Sequence, residues 1–177
     1  SSINMLRYAG FSASPANVDH EGMLPDQLEL ALQKGARAVI LTPRAHNPTG
    51  CSLSASRAAQ LQEILARYPQ TLVIVDDHFA LLSACHWYPV IAKETTHWAI
   101  VRSMSKTLGP DLRLAIVASD PLTSGKLRLR LNSGSQWVSH LLQDLACACL
   151  SDETYQHTLA QTQQFYAAQQ QTLAAAL

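Results

Sequence analysis

A lysine flanked by hydroxyl and guanidinium side chains is the part of this sequence whose residue types could do chemistry. Lys106 follows Ser103 and Ser105, and Arg113 lies seven residues beyond it. Apolar runs precede and follow this segment, which predicts a lysine between two buried strands. An ammonium is costly to bury unless its pKa falls, and a lysine with a lowered pKa is a nucleophile. Because hydroxyls and a guanidinium bind phosphate, the segment indicates pyridoxal 5'-phosphate held by Lys106 as a Schiff base.

The loop at residues 42–50 presents an amide side chain. It follows the apolar run 38–41 and contains two prolines and a glycine, which restrict its backbone. Asn47 precedes one of these prolines and is therefore kept out of helical geometry. Two interpretations remain open at this point. Asn47 either presents its amide to a ligand above the strand end or caps its own turn.

Two carboxylates and a histidine follow the next apolar run. Residues 71–75 are typical of an uninterrupted buried strand, and Asp76, Asp77 and His78 come directly after it. Open α/β sheets hold their ligands at the carboxyl ends of parallel strands. Asp76 is the better functional candidate, because the last residue of a buried strand has few routes to solvent. Asp77 can instead cap a turn, and an isolated His78 is more often structural than catalytic.

Three polar residues, Asn47, Asp76 and Lys106, therefore each follow a separate apolar run. Together they match the needs of pyridoxal phosphate. The amine can join its aldehyde, the carboxylate can keep its pyridine nitrogen protonated, and the amide can donate to its phenolic oxygen. Ser103 and Arg113 add donors for the phosphate. The set predicts one cofactor site at the edge of a sheet.

The elements that must position these residues alternate along the chain. The pattern predicts strands at residues 38–41, 71–75, 97–101 and 112–119, and helices that begin at Pro25, Ser54 and Asp120. Beyond residue 119 the pattern is helical only, with an apolar helix at residues 135–150 and a long last helix to Leu177. This order predicts an α/β domain with a mostly parallel sheet, flanking helices and a helical C-terminal connector.

These motifs resemble those of fold type I pyridoxal-phosphate enzymes, the aspartate aminotransferase class. The resemblance rests on Asn-Pro-Thr-Gly at residues 47–50, on Asp76, and on Ser-Met-Ser-Lys at residues 103–106 with Arg113. It implies that residues 1–150 are the central part of the large, cofactor-binding domain. Residues 151–177 would then begin the connector helix toward a small domain that lies outside this sequence.

The same resemblance implies a role for each candidate residue. Lys106 would form the Schiff base and would be the catalytic residue, Asp76 would pair with the pyridine nitrogen, and Asn47 would bind the phenolic oxygen. The phosphate would be held by three residues: Ser103, Ser105 and Arg113. The resemblance also implies a cis peptide between Asn47 and Pro48.

A closer resemblance is to the aminotransferase-like half of MocR-type regulators in the GntR family. It rests on Ser-Lys-Thr-Leu-Gly-Pro-Asp-Leu-Arg-Leu at residues 105–114 and on the paired Asp76 and Asp77 after a strand. The resemblance implies a homodimeric sensor that binds pyridoxal phosphate and an amino acid or amine effector. DNA would be bound only through a winged-helix domain outside this sequence. Particular similarity to one member implies control of vitamin B6 metabolism genes.

His78 departs from the family pattern. It stands where the family usually has a tyrosine that hydrogen-bonds the phenolic oxygen, so His78 is included among the predicted cofactor contacts. Two alternatives to the sensor therefore stay open. One is a pyridoxal-phosphate-dependent aminotransferase in which Lys106 moves the α-proton of an amino acid. The other is a folded domain whose cofactor site is vestigial.

Composition narrows the choice of partners. The 13 basic and 13 acidic side chains cancel, so overall charge draws the chain neither to nucleic acid nor to an anionic membrane. The four cysteines have no metal-ligand spacing, which predicts no metal site and favours a reducing cytoplasm. No stretch has the length of a membrane span. The first and last residues lie inside helical patterns, so we interpret the sequence as a fragment.

Overall fold

In the computed structural model of the protein, residues 2–134 and 137–176 are described. The helices in these ranges are α1 (Ser2–Tyr8), α2 (Pro25–Gln33), α3 (Ala55–Ala66), α4 (Pro121–Asn132), α5 (His140–Ser151) and α6 (Glu153–Ala176). The strands are β1 (Val18–Asp19), β2 (Gly22–Met23), β3 (Ala38–Leu41), β4 (Leu72–Asp76), β5 (His97–Ser103) and β6 (Ala115–Ser119). A short 3-10 helix at Pro110–Leu112 lies between β5 and β6.

A four-stranded sheet in the order β3-β4-β5-β6 forms the centre of the fold. Strands β3, β4 and β5 run parallel to one another, which confirms the predicted mostly parallel sheet. Strand β6 pairs antiparallel with β5, because the loop at residues 104–114 is shorter than a parallel crossover requires. Strands β1 and β2 form a separate antiparallel pair.

The main core lies between this sheet and helices α2 and α3. Val73 and Val75 of β4 are fully buried, and so are Leu61 and Leu65 of α3. The valines are two residues apart, and the leucines are four apart. Because these spacings match the strand and helix periods, each element turns one apolar face into the core.

The predicted helix starts are confirmed. Pro25 is the first residue of α2, where its missing N–H is not needed. The Ser54 hydroxyl accepts a hydrogen bond from the Arg57 N–H at 3.1 Å and caps α3. In the same way the Asp120 carboxylate accepts from the Thr123 N–H at 3.0 Å at the start of α4.

Two long helices end the described chain. Helix α5 begins at His140, whereas the predicted start at Ser135 lies outside the described residues. Asp152 separates α5 from α6 and accepts a hydrogen bond from the Tyr155 N–H at 2.8 Å. Helix α6 extends to Ala176, and the predicted end at Leu177 also lies outside the described residues.

Strand β6 differs from its prediction. The run at 112–119 was expected to be one buried strand, but residues 110–112 form a 3-10 helix and the strand begins at Ala115. Ile116 and Val117 are 54% and 46% exposed. The two side chains are adjacent and therefore point to opposite faces of the sheet, and the described elements leave both faces partly uncovered at this last strand.

Residues 2–134 and 137–176 contain neither a membrane-spanning helix nor a cluster of metal-binding side chains. None of the helices in these ranges combines the length and apolarity needed to cross a bilayer. The same ranges contain no group of three or more His, Cys, Asp or Glu side chains that could hold a metal ion.

Candidate cofactor-binding site

The candidate residues lie at the carboxyl edge of the parallel strands. Asp76 is the last residue of β4 and pairs in register with Val101 of β5, two residues before Ser103 ends that strand. Leu41, the last residue of β3, pairs with Val75. Since neighbouring parallel strands end side by side, the segments that follow β3, β4 and β5 leave the sheet at one edge.

The loop after β3 holds Asn47 in an exposed turn. The peptide between Asn47 and Pro48 is cis, as the resemblance implied. Backbone hydrogen bonds close the turn, from His46 N to the Cys51 carbonyl at 2.9 Å and from Gly50 N to the His46 carbonyl at 2.6 Å. Since the imidazole of His46 also contacts the Thr49 hydroxyl at 2.8 Å, the turn is braced by neighbours of Asn47.

Asp76, at the end of β4, and His78, two residues later, lie beside each other. The Nδ1 atom of His78 is 3.5 Å from the Oδ1 atom of Asp76, and the Asp76 side chain is 43% exposed. That Nδ1 atom is buried without a hydrogen-bond partner among the described residues. The expectation that Asp76 has few routes to solvent is therefore wrong.

Asp77, which sequence reasoning interpreted as a turn cap, is fully buried. It accepts hydrogen bonds from the guanidinium of Arg44 and from that of Arg102. A signal for its burial was present in the sequence, because Asp77 continues the period-two pattern of Val73 and Val75. Sequence reasoning missed Arg44 and Arg102 as partners.

The segment after β5 presents Lys106 in a hydrogen-bonded turn. Ser105 N donates to the Ser103 hydroxyl at 3.2 Å, and Leu108 N donates to the Met104 carbonyl at 2.8 Å. Lys106 lies between β5 and β6 as predicted, but it is exposed and so is most of β6, so the expected burial of the lysine is wrong. Met104 takes the buried position in this turn, at 2% exposure, because a thioether loses less hydration on burial than an ammonium.

Arg113 lies near the end of the same segment, two residues before β6 begins. Its backbone is left-handed, with φ of 48° and ψ of 37°, directly after the 3-10 helix. Met104 N donates to the Leu114 carbonyl at 2.9 Å, and Ser103 pairs with Ala115. These bonds bring the backbone beside the exposed Arg113 back to the end of β5, where Ser103 lies.

Helix α6 lies across two of the loops at this edge, a feature that sequence reasoning missed. The Tyr155 hydroxyl donates to the carbonyl of Thr107, next to Lys106, at 2.8 Å. The Gln163 amide donates to the Leu81 carbonyl at 2.9 Å in the segment after β4. Burial raises the pKa of Tyr155. Since these partners are far apart in the sequence, local patterns carry no signal for the contact.

The donor set fits pyridoxal phosphate. One edge of the sheet carries a primary amine, a half-exposed carboxylate, an amide, hydroxyls and a guanidinium, in the segments that follow three adjacent strands. The amine, amide and guanidinium are exposed and can therefore meet a ligand from solvent. An aldehyde, a pyridine nitrogen, a phenolic oxygen and a phosphate each have a chemical partner in this set.

Comparison with known proteins agrees with the fold. The sequence profile of the family described as aminotransferase class I and II matches residues 1–177. The solved structure of LysN, the alpha-aminoadipate aminotransferase of Thermus thermophilus complexed with N-(5'-phosphopyridoxyl)-L-leucine, has a TM-score of 0.84 at 24% identity. That match covers 99% of this chain and 46% of LysN. It confirms the predicted fold class.

Two regulators are similar in sequence. The chain is 76% identical over 177 residues to the vitamin B6 salvage pathway transcriptional repressor PtsJ of Salmonella typhimurium, a match that covers 100% of this chain and 41% of PtsJ. It is 30% identical over 176 residues to the uncharacterized HTH-type transcriptional regulator YdfD of Bacillus subtilis, a match that covers 92% and 34% of the two proteins. The chain therefore spans less than half the length of these curated relatives.

Proposed function

This chain belongs to the aminotransferase class I and II family, and we propose that it is the pyridoxal-phosphate-binding, effector-sensing part of a bacterial transcriptional regulator. The genes controlled would be those of vitamin B6 metabolism. One observation carries the proposal, namely the 76% identity along the whole chain to the repressor PtsJ. Within this function, residues 1–150 form the cofactor-binding part, and residues 151–177 begin a connector toward a small domain.

Three residues would hold the ring of the cofactor. Lys106 would take its aldehyde, since the amine is exposed in the turn after β5. Asp76 would keep the pyridine nitrogen protonated, because a carboxylate favours a neighbouring positive charge. Asn47 would donate to the phenolic oxygen from the turn after β3. His78, whose Nδ1 lies 3.5 Å from Asp76 and has no hydrogen-bond partner among the described residues, would contact the cofactor beside that carboxylate.

The phosphate would be held by Ser103, Ser105 and Arg113. The two serines lie in the same turn, linked by the bond from Ser105 N to the Ser103 hydroxyl at 3.2 Å. Arg113 is exposed and directly precedes Leu114, whose carbonyl accepts a hydrogen bond from Met104 N at 2.9 Å, so its guanidinium would reach the phosphate from this strand end. Bound pyridoxal phosphate would contribute a ring that draws electrons from an amine joined to its aldehyde.

Sensing would follow from reaction of an amino acid or amine effector at this site. A ligand changes the conformation of a protein only by binding one of two states more tightly. Helix α6 contacts the segment that carries Lys106 through Tyr155, so occupancy of the site would bias the position of this helix. In a homodimeric regulator that bias would change DNA affinity through a winged-helix domain outside these residues.

Attachment of the cofactor is tested by borohydride reduction of the full-length protein with pyridoxal phosphate, followed by peptide mapping of the reduced adduct. We expect one reduced adduct, at Lys106, because the other proposed cofactor contacts lie at the same edge of the sheet as this amine. Lys106→Arg keeps the positive charge and should abolish the adduct. No adduct, or adducts spread over exposed lysines such as Lys34 and Lys126, would mean that the site is vestigial.

A second candidate function is transamination of an amino acid. Family membership and the exposed Lys106 favour it, since an amine in reach of substrate can move an α-proton as a general base. The coding sequence upstream of residue 1 distinguishes the candidates. A basic helix-turn-helix pattern there supports the regulator. A start with no room for such a domain supports the enzyme.

A further inference from the structure

A buried ionic cluster lies behind the candidate site. The Asp77 carboxylate is fully buried and accepts two hydrogen bonds from Arg44, from Nε at 3.1 Å and from Nη2 at 2.7 Å. A third comes from Nε of Arg102 at 3.1 Å. The Arg44 side chain is 10% exposed, and that of Arg102 is 43% exposed. One carboxylate thus connects two guanidinium groups from two other segments.

The indole of Trp87 completes this cluster. The guanidinium carbons of Arg44 and Arg102 lie 5.5 Å and 5.3 Å from its ring centroid, within the range of cation–π attraction. Nη1 of Arg44 also donates to the Cys85 carbonyl at 3.2 Å. The cluster therefore fixes the segment after β4 as well as the three strand ends.

Each charged member is a close sequence neighbour of a predicted cofactor contact. Arg44 is three residues before Asn47, Asp77 directly follows Asp76, and Arg102 directly precedes Ser103. Asp76 and Ser103 are the last residues of β4 and β5, and Asn47 follows β3. Backbone pairing between the strands ends at this sheet edge. Beyond that edge, the cluster ties the three segments to one another directly, whereas α6 reaches only the segments after β4 and β5, through Leu81 and Thr107.

We propose that Arg44, Asp77 and Arg102 are positioning residues that set the relative placement of Asn47, Asp76 and Ser103 around the cofactor. This inference rests on the proposed function. A paired Arg and Asp fix both distance and angle, because two parallel N–H groups meet two oxygens. Apolar packing supplies burial without such directionality, and buried ion pairs stabilise folds less than apolar residues of similar volume. The directed bonds of the cluster therefore point to a role in positioning the cofactor contacts.

The test measures pyridoxal phosphate binding by the full-length protein and its Asp77→Asn variant. We expect the dissociation constant to rise about tenfold or more, because weakening the charge-assisted hydrogen bonds of the cluster disturbs the placement of Asn47, Asp76 and Ser103 around the cofactor. The pH midpoint of the absorption band of the lysine-bound cofactor should also shift, since Asp76 moves relative to the ring. Urea unfolding of each variant gives its stability separately.

The matched control is Asp19→Asn. Asp19 forms a similar two-bond pair with the buried Arg57, at 2.9 Å and 2.8 Å, and touches none of the predicted cofactor contacts among the described residues. We expect this variant to lose stability while its dissociation constant and pH midpoint stay unchanged. Arg102→Lys keeps the charge and the Arg44 pair. Arg102→Lys should weaken pyridoxal phosphate binding severalfold. If Asp77→Asn does not fold, the binding of Arg102→Lys decides whether the cluster positions the cofactor contacts.

The outcomes separate this inference from the proposed function. Lower stability of Asp77→Asn and Arg102→Lys with wild-type binding and pH midpoint would make the cluster structural only and overturn the inference. A wild-type protein that forms no adduct at Lys106 would overturn the proposed function, and the inference with it. The inference is supported if the cluster variants bind pyridoxal phosphate more weakly and shift the pH midpoint, while Asp19→Asn leaves both values unchanged.

Discussion

Asp76 and Asp77 are adjacent carboxylates in opposite environments, because successive residues of a strand point to opposite faces. Asp76 follows the outward positions of β4 and is 43% exposed. Asp77 follows the inward positions of Val73 and Val75 and is fully buried. A buried carboxylate requires partners, and two arginines supply them. Asp76 is therefore available to a ligand, whereas Asp77 connects other segments of the protein.

Asp19→Asn should make the free energy of unfolding depend less on pH in the acidic range. Hydrogen bonds from Arg57 are the main reason that the pKa of Asp19 falls from 3.8 to about 2. A carboxyl whose pKa is lowered by folding stabilises the fold above its unfolded pKa, and this contribution is lost as pH falls from 3.8 toward 2. The variant should therefore be less stable at neutral pH, and its difference from wild type should narrow in that window.

Urea unfolding near neutral pH and near the lower end of this window checks the Asp19 prediction. Glu63→Gln is the control, because Glu63 is an exposed residue of α3. A difference between wild type and Asp19→Asn that stays constant as the pH falls would contradict the assignment of this ion pair.

His78→Tyr should create or increase transamination in the full-length protein. A tyrosine hydroxyl at this position can donate to the phenolic oxygen of the cofactor, whereas the His78 ring nitrogen lies 3.5 Å from Asp76. Assays with a panel of amino acids and a keto acid measure the effect. His157→Tyr, at an exposed position of α6, is the control. Substantial activity in the wild-type protein would contradict a sensor without catalysis.

Helix α6 is the element that joins separate parts of the carboxyl edge. It contacts Thr107 through Tyr155 and Leu81 through Gln163, and the Tyr166 ring meets the Phe79 ring edge-on at 6.3 Å. The described residues of α6 include none that is fully buried. Because the helix has no buried apolar face in this chain, a few directed contacts fix its position.

Tyr155→Phe should lower the free energy of unfolding by about 1 kcal/mol, because the hydrogen bond to the Thr107 carbonyl is lost while the ring remains. Burial raises the pKa of Tyr155 above 10.0. The wild-type contribution is therefore present below pH 10 and is lost as the pH rises beyond it. The variant should lack this alkaline loss.

Urea unfolding at neutral and alkaline pH measures the Tyr155 effect. Tyr166→Phe is a matched control, since Tyr166 lies on the same helix and is 48% exposed. Equal losses in the two variants would mean that the bond to Thr107 does not stabilise the helix.

The whole molecule has no net charge and an exposed apolar edge. Its 13 basic and 13 acidic residues cancel, so long-range attraction to DNA is not expected from this chain. Strand β6 ends the sheet with Ile116 and Val117 about half exposed. Unpaired strand edges with apolar side chains pair readily with other chains.

The chain of 177 residues should therefore associate through β6 at high concentration, and Ile116→Lys should reduce the association. A charge on an edge strand opposes strand pairing. Light scattering over a range of concentrations measures the effect. Gln60→Lys adds the same charge at an exposed position of α3 and should leave association unchanged. Equal effects of the two substitutions would point to overall charge as the cause.

Much of the fold and the location of the site could be predicted from local patterns. Uninterrupted apolar runs placed β3 and β4, and helical spacing placed α2 and α3. Parallel strands bring their carboxyl ends together, so Asn47, Asp76 and Lys106 were expected at one edge before any contact was known. Motif similarity further predicted the cis Asn47–Pro48 peptide and the aminotransferase family. The sequence alone determined these features, because each depends on nearby residues.

Tertiary structure decided the contacts between distant residues. Asp77 meets Arg44 across 33 positions and Arg102 across 25, and Tyr155 meets Thr107 across 48. The exposure of Lys106 and of β6 was likewise decided by which elements cover them. No local period encodes such pairings, since they arise only when the sheet and α6 bring separate segments together. For this reason the sequence by itself predicted where the candidate site lies, and only the tertiary structure showed the contacts of Asp77 with Arg44 and Arg102 beside it.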